Sequence, residues 1–212
     1  MLTVKKMFKG LFVSAALLIL TGCAMTQTEI PINYTPPSVP VDAKLTTQAI
    51  SIQVNDFRDV RESADGDTKM IQHKTNGYGF KTSGAYMAQE PVALVVQKGF
   101  QEGLMQLGYK VNGDSPQFLL EGMLQSMHFD FLQGWASVTV KANMNVYLKL
   151  VNAQTKQVVW EDLVAGHVDD YSYMAITDEM IKGVLTKLLN QAINELETSQ
   201  AFYDAAHSKP AN

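Results

Sequence analysis

The sequence predicts an α+β fold: an antiparallel sheet with two helices packed on one face, in the order β-α-β-β-β-α. Three observations predict it. Residues 137–150 alternate strictly between polar and apolar side chains, the period of a half-buried strand. Residues 92–107 and 181–196 each repeat apolar side chains at helical spacing. Further short alternating runs flank these segments, bounded by Gly, Asn and Pro.

The chain opens with Lys5, Lys6 and Lys9 and no acidic residue, then an apolar stretch from Leu11 to Leu20. That stretch suits the core of a secretion signal and is shorter than the ~20 apolar residues a spanning helix needs. Leu20-Thr21-Gly22-Cys23 follows, with small residues before the only cysteine in the chain. A thiol there can take a diacylglyceryl group, after which signal 1–22 is cut and the freed amine of Cys23 is acylated. A lone reactive thiol is unusual on an exported surface. Cys23 is therefore expected to carry lipid, and several acyl chains on one residue anchor stably. Residue 24 is Ala rather than Asp, which suits the periplasmic face of an outer membrane.

Removing 22 of 212 residues leaves 190, enough for one domain with tails. Three of the 17 basic residues and none of the 21 acidic ones lie in the signal, so the remainder carries a net charge of −7. An acidic chain without a basic run argues against nucleic acid and against electrostatic docking on anionic lipid. With Cys23 lipidated no thiol remains for a disulfide, so an apolar core must hold the domain.

Residues 23–43 are small and polar with Pro31, Pro36, Pro37 and Pro40. They read as an extended tether that, at ~3 Å per residue, holds the domain off the membrane. A single domain is expected over 44–204. Ile50, Ile52 and Val54 alternate with polar residues as a first strand. Residues 58–89 lack periodicity, are rich in glycine and read as a long loop. Glu90 and Pro91 open a helix whose apolar face is Val92, Val95, Val96, Gly99, Phe100, Gly103, Leu104 and Leu107, with Gly108 as its stop. Strands are expected near 117–129, over 137–150 and from Val158 to Val168, the last two joined by a turn at 152–157. Thr177 caps a final helix with Asp178 and Glu179 in its first turn. Residues 205–212 are expected to be a disordered tail.

Gly99 and Gly103 form a G-x-x-x-G motif, but Gln101, Glu102 and Gln106 exclude a bilayer span. The glycines read as a close approach of helix to sheet. His73, His128, His167 and His207 lack metal-ligand spacing, so no metal or other cofactor is expected. Ser126, His128 and Asp130 share one strand face, but i, i+2 spacing alone does not give the nested geometry of a triad. No catalytic residue is assigned. Arg58 and Arg61 are the only arginines, set among Asp56 and Asp59. They read either as a clamp for a partner's carboxylates or as internal ion pairs. Tyr78, Phe80 and Tyr86 place aromatics in the glycine-rich loop, either for a partner contact or as a cap over the core.

Leu20–Cys23, the strand end Val54-Asn55-Asp56-Phe57-Arg58, the helix end Phe100–Val111 through Leu107-Gly108-Tyr109, and the closing amphipathic helix together resemble the YajG family of bacterial lipoproteins. The resemblance spans most of the exported chain and implies localisation and fold; it carries no catalytic residue over. The expected role is a non-enzymatic module, held to the membrane by its lipid, that binds an envelope protein through the 58–89 segment or a sheet edge. An auxiliary protein of lipid or lipoprotein transport is the second reading and needs a large apolar cavity between sheet and helices. A cell-wall hydrolase is the third and needs converging carboxylates. Oligomeric state is open.

Overall fold

The computed structural model describes residues 25–32, 50–76, 78, 80–172, 174 and 176–208. The signal and Cys23 lie outside the described residues. The elements in chain order are β1 (Gln27–Ile30), β2 (Ser51–Val54), β3 (Arg58–Asp59), β4 (Met70–Thr75), β5 (Lys81–Ala88), α1 (Val92–Gln106), β6 (Lys110–Val111), β7 (Phe118–Gln133), β8 (Val138–Asn152), β9 (Val158–Ser172), α2 (Asp178–Thr198) and α3 (Gln200–His207).

The three long strands follow the alternation in the sequence. On β8 every even residue from Val138 to Leu150 is buried, while the odd residues are exposed or half-buried. β7 changes parity at a bulge between Leu124 and Ser126, so Leu120 and Leu124 point inward before it, and Met127 and Phe129 after it. β7, β8 and β9 pair antiparallel, as expected. The rest of the sheet corrects the expectation. Its order is β6-β2-β7-β8-β9, with β2 parallel to both β6 and β7, and β3 also parallel to β7. The cause is α1. A helix between β2 and β7 returns the chain to the end it started from, and a strand entering there must run parallel.

α1 packs over β6 and β7, and α2 over β8 and β9, within one core cluster. The motif glycines face α2 rather than the sheet. A Cβ on Gly99 would meet Leu189, and one on Gly103 would meet Ile193. Gly108 ends α1 at φ 86°, with its N–H donating to Met105 O and that of Tyr109 to Leu104 O. Thr177 caps α2, its Oγ1 accepting from Met180 N at 3.2 Å. β9 is an edge strand of the large sheet, and α2 shields it: the N–H groups of Ala165 and His167 donate to Glu195 and Gln191.

Three further expectations change. Residues 27–30, read as tether, form β1, paired parallel to β5 with Ile30 fully buried. The proline-rich stretch that continues beyond Ile32 therefore follows the first strand and cannot space the domain from Cys23. Residues 58–89, read as a loop, contain β3 and the β4–β5 hairpin; β1, β5 and β4 make a second, three-stranded sheet. Bulges between Met70 and Gln72 and between His73 and Thr75 break the period of two that would mark the hairpin in the sequence. Residues 205–207, read as tail, finish a third helix, α3. Ser199 caps it, and its Phe202 packs edge-on against Trp160 at 5.1 Å and Tyr109 at 6.0 Å.

Candidate functional site

The two arginines part company. Arg61 is buried and forms a fork with Asp59: Nε donates to Oδ1 at 2.8 Å and Nη2 to Oδ2 at 2.7 Å. Its Nη1 donates to Met70 O at 2.9 Å. This is the internal ion pair of the two readings, and it fastens the start of β4 to β3. Arg58, next to Asp59 in the short strand β3, is exposed. It lines an open cleft of about 310 Å³ with Asn55, Asp56, Glu121, Gly122, Met123, Tyr147 and Lys149.

Sheet register assembles that cleft. Arg58 lies beside Met123, Met123 beside Tyr147, and Glu121 beside Lys149. Strand alternation turns these side chains away from the helices. Phe57, one residue before Arg58, points inward onto Phe100 at 5.8 Å, and a Cβ on Gly122 would collide with its ring. The cleft is a mixed-charge surface. Tyr147 donates to Glu161, which holds its phenol above the ordinary range, and Lys149 lies over the Tyr147 ring at 5.4 Å. Sequence reasoning missed Tyr147, Glu121 and Lys149, because nothing in the spacing links them to Arg58.

The aromatics of the β4–β5 hairpin also divide. Tyr86 is half-buried, with its ring 6.1 Å from Phe131 and Lys74 Nζ 5.1 Å from its centre. Burial, then the Asp178 carboxylate, raise its pKa. It is the cap over the core. Tyr78 and Phe80 stand at the hairpin tip, 88% and 70% exposed. Asn76 holds that tip: its Oδ1 accepts from the N–H of both Tyr78 and Phe80 at 3.0 Å. Lower in the hairpin, Lys81 and then His73 hydrogen-bond the Asp65 carboxylate and lower its pKa.

No family model matches the chain, and no curated protein matches it. Its fold is shared with a solved protein. A Xanthomonas campestris protein of the DUF330 family superposes with a TM-score of 0.53 at 16% identity, covering 81% of this chain and 91% of that one. A minor lipoprotein of Acinetobacter baumannii aligns with a TM-score of 0.42 at 7% identity, covering 76% and 96%. At these identities the first likeness speaks for the fold alone.

His128 and Asp130 meet on the outer face of β7 at 2.9 Å, both side chains about half exposed at 49% and 56%. Ser126 lies on the same face, where strand alternation after the bulge places it. Among the described residues no three His, Cys, Asp or Glu side chains converge as a metal site.

Proposed function

We propose that this chain is a lipid-anchored, non-enzymatic binding module of the bacterial envelope, exported through residues 1–22, acylated at Cys23 and held at the periplasmic face of the outer membrane. The lipobox Leu20–Cys23 and Ala24 support the anchor and the sorting. The resemblance to YajG lipoproteins belongs to the same reading.

One observation carries the binding role. Helices cover one face of the large sheet, and the other face is open with Arg58 in its cleft. Arg61 donates from all three guanidinium nitrogens to Asp59 and Met70, whereas Arg58 has no ion pair among the described residues. A planar guanidinium beside Tyr147, Lys149, Asp56 and Glu121 suits a protein partner that presents a carboxylate among polar groups. The acyl-carrier reading needs a large apolar space between sheet and helices. At Gly166 of β9, α2 lies on the sheet with less than a methyl group of room between them.

In-cell crosslinking from a photoreactive residue at position 56 tests the reading. Capture of one envelope protein, lost in an Arg58→Glu variant that folds normally, is expected. The same weak set of adducts with and without Arg58 would remove the cleft as a binding site.

A further inference from the structure

The five most exposed large apolar side chains in the described residues are Trp135 at 103%, Met174 at 92%, Tyr78 at 88%, Phe80 at 70% and Met25 at 64%. Single exposed apolar residues need no explanation. Their convergence on one end of the domain does.

Strand register places them there. Gln133 pairs with Val138 and Val138 with Ser172, so the turn carrying Trp135 and the chain leaving β9 toward Met174 lie at the same end of the large sheet. The β4–β5 hairpin points the same way. Its start at Met70 is tied through Arg61 to β3, whose Asp59 pairs with Leu124. Its Tyr86, level with Gln72, touches Phe131, seven residues farther along β7. Its tip at Tyr78 and Phe80 lies beyond that. β1 runs parallel to β5, and Met25 Sδ accepts from Ser83 Oγ at 3.2 Å, so Met25 lies toward the same tip.

Two facts say what covers this end. Cys23 is two residues before Met25, and two residues span at most about 7 Å. An acyl chain on Cys23 would therefore start within that reach of Met25 and the hairpin. Charge agrees: residues 76–80, 133–137 and 172–177 contain no charged residue, in a chain where 18% are charged. The turns at the opposite end carry Asp114 and Lys156. Burying a charge at a lipid surface is costly, whereas Trp and Tyr favour the headgroup boundary.

We propose that this end is a membrane-docking face, with Trp135, Tyr78, Phe80 and Met174 seated at the headgroup boundary of the bilayer that holds the Cys23 lipid. The proposal rests on lipidation of Cys23. Docking fixes the domain upright, close to the membrane, with the Arg58 face directed sideways into the periplasm.

Trp135 reports directly. The other tryptophan, Trp160, is buried at 8% exposure, and subtracting the spectrum of a Trp135→Phe variant isolates the Trp135 signal. The full lipidated protein is placed in phosphatidylethanolamine–phosphatidylglycerol vesicles, and its mass is measured in the same sample. The expected result is blue-shifted Trp135 emission, several-fold weaker iodide quenching than free N-acetyltryptophanamide, and quenching by acyl-brominated lipid. An acylated protein whose Trp135 is as open to iodide as the free indole overturns the docking face and leaves the lipoprotein reading intact. A mass without acyl chains overturns both. A photoreactive residue at 135 in intact cells should give lipid adducts; one discrete protein adduct would assign this end to a protein instead.

Discussion

Gly166 on β9 lies directly beneath the backbone of Leu188 in α2, and a Cβ at 166 would collide with the Leu188 carbonyl oxygen. Its neighbours on the same face, Val164 and Val168, are buried apolar residues, so the strand pattern alone calls for another one there. The missing side chain is what lets α2 settle onto the sheet. Gly166→Ala is expected to cost about 1–3 kcal/mol, because backbone cannot move aside as a flexible side chain can. Urea unfolding of the variant measures it. An unchanged midpoint would mean that α2 sits farther from β9.

Arg58 and Arg61 should respond oppositely to truncation. Arg61→Ala leaves the buried Asp59 carboxylate without its fork and frees the start of β4. Losing one partner of a buried pair costs about 3–5 kcal/mol. Arg58→Ala removes an exposed side chain and should stay within about 0.5 kcal/mol. Thermal melts of the two proteins side by side decide it, and equal melting temperatures would contradict the assignment.

Ile30 separates a tether from a strand. A tether residue can be truncated freely, whereas Ile30 is fully buried in the core cluster. Ile30→Ala is expected to destabilise the domain by about 2–5 kcal/mol. Chemical denaturation measures the loss, and a cost near zero would return residues 27–30 to the tether.

Two carboxyl groups bias stability against pH in opposite directions. Hydrogen bonds from Lys81 and His73 lower the pKa of Asp65, so folding favours its charged form. Its contribution is present above the ordinary carboxylate range and is lost as pH falls through the lowered value. Burial raises the pKa of Glu197, so folding favours its protonated form. That contribution is complete below the ordinary range and is lost as pH rises through the raised value. Asp65→Asn should therefore weaken the protein at neutral pH and matter less in acid. Glu197→Gln should strengthen it at neutral pH, with the advantage fading in acid. Denaturation midpoints across the acid-to-neutral range test both; the same sign for the two variants would refute the pairing.

Much of the domain was legible in the residues themselves. The alternation of β8, the apolar stripes of α1 and α2, the Thr177 cap and the Gly108 stop are local signals, set by backbone geometry and by which side chains must leave water. The basic and then apolar start ahead of the lone Cys23, and the missing charge at 76–80 and 133–137, are equally plain in the letters. Other features depend on residues far apart in the chain. The parallel pairing of β2 with β7 follows from where α1 lands. The β4–β5 hairpin hides behind its bulges, and β1 is a strand only because β5 offers it an edge. The choice between Arg58 and Arg61 was likewise tertiary. Both sit in one hexapeptide with two aspartates, and only the approach of Met70 gives Arg61 a third acceptor and a dry place to keep its charge. Local periodicity is written in adjacent residues; long-range pairing is decided by which buried surfaces and unsatisfied edges meet once the chain has closed.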